Sequence, residues 1–164
     1  MASGKTAAAR SLARIRGSQW YDTDHIVQDR AGMNITEIFS SMGEPAFRDM
    51  EHEAVRQVCA FRGCVAALGG GAFMHQRNRD LVSKAGISIA LLWPLDVLMN
   101  RIKNPASRPL LAGLNTQDMR ARALALLQQR EPVYQQADIV LRFCSELPLD
   151  QVVQSIQKEL EDIR

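Results

Sequence analysis

Several short segments of this 164-residue chain hold residue types suited to chemistry on a phosphorylated ligand. Gly4-Lys5-Thr6 has the form of the tail of a phosphate-binding loop, G-x-x-x-x-G-K-[ST], followed by a helical pattern. Such a loop aims backbone N–H groups and the positive end of a helix dipole at phosphate oxygens. Lys5 would bridge β- and γ-phosphate oxygens, and the Thr6 hydroxyl would ligate Mg²⁺. Gly-Lys-Thr is also a common tripeptide, and the opening glycine of the full pattern would stand ahead of Met1. Asp22-Thr23-Asp24 follows a short apolar run. On an extended segment its two carboxylates point the same way, so that one can hold a magnesium water shell and the other can accept from a substrate hydroxyl. Aspartates at such places equally cap helices and turns.

Arg48 and Glu51 stand three apart in a helical pattern and share a face. They form either a surface ion pair worth under about 1 kcal/mol or a guanidinium fork for a substrate carboxylate, oriented by Glu51. Gly69-Gly70-Gly71 directly after an apolar run carries an entropic cost that needs a reason. A tight turn is one; close approach of backbone N–H groups to a ligand is the other, and the position at a strand's carboxyl end favours it. Arg101, Arg108 and Arg130 flank or occupy the segment 104–115. Each alone suits a solvated surface, but an arginine on a loop over a phosphate site suits phosphoryl transfer, which depends on positioning and charge neutralisation.

These residues need a scaffold, and the hydrophobic pattern supplies one. Helices are expected over 6–15 with a stop at Gly17, over 24–31, over 34–42 with Thr36 as a cap, and over 44–62, 78–84 and 116–130. Pro94 opens another, Pro132 interrupts hydrogen bonding near the end of the 116–130 pattern, and Leu149, Val152, Val153, Ile156, Leu160 and Ile163 mark a closing amphipathic helix. Apolar strands are expected over 19–22, 64–68, 87–92 and 139–143. The alternation implies one α/β domain over 1–164, with a parallel sheet covered by helices on both faces. Ligands of such sheets sit beyond the carboxyl ends of the strands, where Asp22 and the glycine run fall.

Composition narrows the choice further. Twenty Lys and Arg against 18 Asp and Glu leave a net charge of +2, too small a bias to imply a nucleic-acid partner. No apolar run approaches the ~18 residues of a membrane span. Cys59, Cys64 and Cys144 form no C-x-x-C pair, and Cys59 and Cys64 read as buried small hydrophobes. His25, His52 and His75 lack metal-ligand spacing.

Taken in order, Gly4-Lys5-Thr6, Asp22-Thr23-Asp24, Glu37-Ile38-Phe39, Gly43-Glu44, Phe47-Arg48 with Glu51, Gly69-Gly70-Gly71, Arg108-Pro109-Leu110-Leu111 and Arg130-x-Pro132-x-Tyr134 with Ala137-Asp138 resemble the shikimate kinases. The resemblance covers nearly the whole chain. It implies a three-layer α/β/α P-loop kinase with strand order 2-3-1-4-5, a substrate-binding region about 23–51 and a lid about 104–115. It also implies transfer of the γ-phosphoryl of ATP to the 3-hydroxyl of shikimate, in aromatic amino-acid biosynthesis, by a cytoplasmic monomer using Mg²⁺. Under it Gly4, Lys5, Thr6, Arg101 and Arg108 serve the nucleotide, and Thr6 and Asp22 the metal. Asp24, Arg48, Gly70, Gly71 and Arg130 serve shikimate; Lys5, Asp24 and Arg108 act in catalysis. The family has about ten residues before the point equivalent to Met1, a first strand and the first loop glycine. The chain is therefore expected to show a gap in its core; either Met1 is an internal methionine of a longer protein, or the chain is a true truncation, weakly folded and with poor ATP binding. A substrate-binding homologue without turnover, or a related small-molecule kinase, are the alternative readings.

Overall fold

The computed structural model describes residues 2–102, 110–111 and 113–163. Helices and short strands alternate along them: α1 (Lys5–Arg16), β1 (Trp20–Asp22), α2 (Thr23–Ala31), α3 (Ile35–Ala60), β2 (Val65–Ala67), α4 (Gln76–Ala85), β3 (Ile89–Leu92), α5 (Leu95–Arg101), α6 (Thr116–Tyr134), β4 (Ile139–Arg142) and α7 (Leu149–Asp162). A 3₁₀ turn, Ala72–Met74, joins the glycine run to α4.

Local signals explain most boundaries. Gly17 and Gly32 take left-handed φ values of 62° and 63° and stop α1 and α2 where a side chain would be strained. The expected cap at Thr36 is corrected to Asn34. The Asn34 side chain accepts from the Glu37 N–H, and the Glu37 carboxylate accepts from the Asn34 N–H, a reciprocal capping box. The two helices expected over 34–42 and 44–62 form one kinked α3, broken at Gly43 (φ 81°, ψ 168°), with Pro45 in the first turn beyond the kink. Pro132 lies inside α6, which continues to Tyr134. Cys59 and Cys64 are half-buried and Cys144 is exposed, all as free thiols; the reading of Cys59 and Cys64 as fully buried is corrected, because their helix end and turn face partly outward.

β1 pairs in parallel with β2 in the register Trp20–Val65 to Asp22–Ala67, and β3 pairs in parallel with β4 from Ile89–Ile139 to Leu92–Arg142. These pairs supply the 2-3 and 4-5 halves of the expected strand order, but they are not hydrogen-bonded to each other. Between them lies a cavity of about 1010 Å³, lined by Val65–Leu68, by Ile89–Leu92 and by Ala8, Ala9 and Leu12 of α1. The expected core gap is thus present. The halves are joined through helices: Ala8 and Leu12 of α1 pack with Trp93, Val97, Phe143, Val152, Val153 and Ile156, and Val65, Ile89 and Leu141 reach the same cluster. A second cluster, Val27, Ile38, Phe47 and Ala54, fastens α2 to α3 beneath the β1–β2 pair's outlet.

The entry to the β3–β4 pair is clasped by Asp138. Its Oδ2 accepts from the Ser88 N–H at 2.8 Å and from the Ser88 hydroxyl at 2.6 Å, while Ser88 Oγ accepts from the Asp138 N–H at 3.0 Å. The Ser88 side-chain and backbone hydrogen bonds hold this carboxyl below the usual carboxylate range. A lowered folded-state pKa adds stability that is present above the unfolded pKa of about 4 and is lost as pH falls through the folded value. Asp138→Asn is therefore expected to lower stability by about 1 kcal/mol at pH 7, with the difference from the unmodified chain shrinking below about pH 4. Urea unfolding across pH checks this; a difference independent of pH would refute it.

Candidate active site

The carboxyl ends of β1 and β2 lie side by side, because Asp22 is in register with Ala67. Everything that follows those two residues is therefore gathered at one outlet. Asp22 is buried, and its side chain has two partners. Oδ2 accepts from the Thr6 hydroxyl at 2.5 Å, and Oδ1 accepts from the Asp24 N–H at 2.9 Å, which caps α2. The expectation that Asp22 and Asp24 point the same way along one extended segment is corrected here. The strand ends at Asp22, and Asp24 stands in the first turn of α2. Its carboxylate instead approaches Lys5, with Nζ 3.6 Å from Oδ2.

Gly4 takes a left-handed φ of 80° where the chain enters α1, a conformation glycine adopts freely. Its neighbours Lys5 and Thr6 thereby open α1 toward the Asp22–Asp24 pair. Arg101 comes to the same place from the other half of the fold. Its guanidinium lies 4.0 Å from the Trp93 ring centroid, and its Nε donates to Glu146 at 3.1 Å. A Cβ on Gly4 would stand 3.9 Å from its Nη1. The Trp93 indole N–H in turn donates to the Ser3 carbonyl at 3.1 Å. Arg108 lies outside the described residues.

Glu51 is the pivot of the opposite wall. Its side chain is 2% exposed, and its carboxylate accepts from Arg48 Nη1 at 2.8 Å. Burial raises its pKa, with Arg48 opposing the rise. Burial would lower the pKa of Arg48, but hydrogen bonds and charge from Glu44 and Glu51 outweigh that and raise it above its ordinary value. Arg130 is also close enough to act on Glu51. It is 9% exposed, yet it forms none of the ion pairs found among the described residues. A buried cation without a direct counter-charge is unfavourable unless an anion comes to it.

The glycine run closes the site. Neither Gly69 nor Gly71 has a left-handed φ; both are glycines for lack of room. A Cβ on Gly69 would fall 2.7 Å from Glu51 Oε1, against Asp24 as well, and one on Gly71 would fall 2.9 Å from Arg48 Cζ. Of the two readings of this run, close approach to functional side chains is the one that the geometry supports. The Gly70 carbonyl accepts from the Tyr134 hydroxyl.

Sequence reasoning missed the residues that hold this turn. Thr23 is fully buried, and its hydroxyl accepts from the Gly69 N–H at 2.8 Å. Asn78, also buried, donates to the Ala72 carbonyl at 2.8 Å and accepts from His52 Nδ1 at 2.6 Å. Arg79 donates to the Phe73 and Met74 carbonyls, each at 2.8 Å. Only the position of Thr23 between two aspartates after a strand hinted at such a role.

A shikimate kinase family profile matches residues 1–161. A shikimate kinase of Ruegeria pomeroyi is 38% identical over 156 residues, covering 95% of this chain and 78% of that protein. One from Geobacter sulfurreducens is 40% identical over 139 residues, covering 85% and 75%. Among solved structures, shikimate kinase from Acinetobacter baumannii in complex with shikimate superimposes with a TM-score of 0.93 at 27% identity, covering 100% of this chain and 90% of that one. The Aquifex aeolicus enzyme gives 0.82 at 29% identity, covering 98% and 92%. With the profile spanning nearly its full length, the chain belongs to the shikimate kinase family, phosphotransferases that phosphorylate shikimate.

Proposed function

We propose that this chain transfers the γ-phosphoryl group of ATP to the 3-hydroxyl of shikimate, with the residues at the β1–β2 outlet in the roles that follow. The observation that carries the reading is Arg130, a buried guanidinium without an ion pair, on the wall where Glu51 steadies Arg48. Arg48 and Arg130 together bind the shikimate carboxylate, and Gly70 and Gly71 bring backbone against the ring. Asp24 accepts from the ring hydroxyls and orients the reacting one; a loose transition state needs little more from it. Lys5, now paired with Asp24, is within reach of a phosphate entering beside it.

Gly4 and the first turn of α1 receive the phosphates, with Arg101 on the nucleotide side and Arg108 serving from the lid. Thr6 and Asp22 offer hard oxygen donors side by side at a helix N-terminus, which fits Mg²⁺ held by few protein ligands and by substrate phosphates. When bound, the ion neutralises charge on the phosphate oxygens. Among the described residues no helix is long and apolar enough to cross a membrane. That suits a cytoplasmic enzyme, proposed here to act as a monomer.

Titration calorimetry with shikimate, followed by an assay of shikimate-dependent ADP formation, tests this. Binding and turnover are expected. Binding without turnover would favour the inactive binding homologue, and phosphorylation of gluconate or a nucleoside monophosphate but not shikimate would favour a related kinase. Arg48→Lys keeps the charge but loses the fork, and should raise the KM for shikimate about tenfold or more. Arg48→Ala also strands Glu51 and should lower stability by about 3 kcal/mol, read by urea unfolding. Gly71→Ala has an allowed backbone but displaces the Arg48 guanidinium from Glu51. Shikimate affinity should fall about tenfold, and Tm should fall too, because the buried Glu51 loses part of its counter-charge. Gly86→Ala, where a Cβ meets nothing within 4 Å, is the control.

A further inference from the structure

Tyr134 has no part in the chemistry above, yet it touches two of the groups that would carry it. Its hydroxyl donates to the Gly70 carbonyl, across 64 positions of sequence. Arg130 lies one helical turn earlier on the same face of α6. Burial pushes the phenol pKa up, and the charge of Arg130 and its side-chain hydrogen bond act against that rise. The Glu51 carboxylate acts on both the phenol and Arg130. The helix that carries Arg130 is therefore bonded through Tyr134 to the backbone of the glycine turn.

The surroundings make this contact consequential. The far end of the turn is held by Asn78 and Arg79 through the Ala72, Phe73 and Met74 carbonyls. The Gly70 end is held by Tyr134, from a different element. Pro132 has no N–H to donate, so the Gln128 carbonyl loses its helical partner between Arg130 and Tyr134. The Gln135 N–H still donates to the Glu131 carbonyl, and Tyr134 adds a tie from this last turn of α6 to another element.

We propose that Tyr134 is a positioning residue for the substrate carboxylate. By bonding the Gly70 carbonyl it holds the end of α6 that carries Arg130 against the glycine turn, so that the cation on α6 and the turn after β2 keep one spacing. The proposal rests on the reading in which Arg130 receives the carboxylate of shikimate, and it adds that recognition of the acid depends on a residue that does not touch it.

Tyr134→Phe keeps the ring and removes the hydroxyl. Calorimetry without nucleotide compares shikimate with its methyl ester, which lacks the charge. The preference for the acid over the ester should fall about tenfold, the loss expected for one hydrogen bond to a charged group. In steady state the KM for shikimate should rise by a similar factor with kcat within about twofold. In an Arg130→Gln background the same substitution should change acid binding little, because its route has been removed. Tyr134→Gln, which retains a donor, is the second variant, expected to fall between Phe and the unmodified chain. If both variants lower Tm but leave the acid-to-ester preference unchanged, the role is structural and the proposal is overturned. If the unmodified chain binds no shikimate, the proposed function fails, and this proposal with it.

Discussion

A carboxylate taken out of water has to be met by cations and donors, or it protonates or opens the structure. Glu51 is such a group, and much of the site follows from it. Arg48 is held against it, and Arg130 acts on it from α6. The glycine run passes so close that a Cβ at Gly69 would strike its oxygen. Breaking this arrangement from one side leaves a buried charge on the other. That explains why the charged wall is built from three separate elements, α3, α6 and the turn after β2, rather than from one helix face. It also leaves Arg130 with a share in Glu51 but in none of the ion pairs found among the described residues.

The opposite wall depends on a weaker but equally connected set. The buried Asp22 joins the first turn of α1, through Thr6, to the first turn of α2, through the Asp24 N–H. Two helix N-termini, each with a partial positive charge, thus converge on one carboxylate at the end of β1. Thr23 then fastens the same strand end to Gly69. The parallel pairing of β1 and β2 is what brings the two walls together, since it sets Asp22 beside Ala67 and delivers the aspartates and the glycines to one outlet.

Much of this was legible in the sequence, for identifiable reasons. Helix stops at Gly17 and Gly32 were readable because left-handed φ selects glycine. Arg48 and Glu51 were readable because helical spacing fixes a shared face. The cap was misplaced because Asn34 and Thr36 are both capping types, and only the reciprocal bond with Glu37 separates them. The paired direction of Asp22 and Asp24 was misread because strand ends are set by hydrogen bonds and not by composition. Thr23, Asn78 and the grip of Tyr134 on Gly70 were invisible for a different reason. Each is a long-range contact made by a residue whose local sequence context is equally suited to a cap, a surface or a core.

The cavity between β2 and β3 borders both walls. The Glu51 wall is supported by α3 packed on α2 through Val27, Ile38, Phe47 and Ala54, away from the gap. The glycine turn is anchored to that side by Thr23 and Asn78. Ser3, Lys5, Trp93 and the first turns of α1 line the gap itself, and so do Gly69, Gly70 and Tyr134. The start of α1 is held there by Thr6 on Asp22 and by Lys5 beside Asp24, and the glycine turn by Thr23, Asn78 and Tyr134. A change in how the gap is filled therefore bears on the start of α1 and on the glycine turn together.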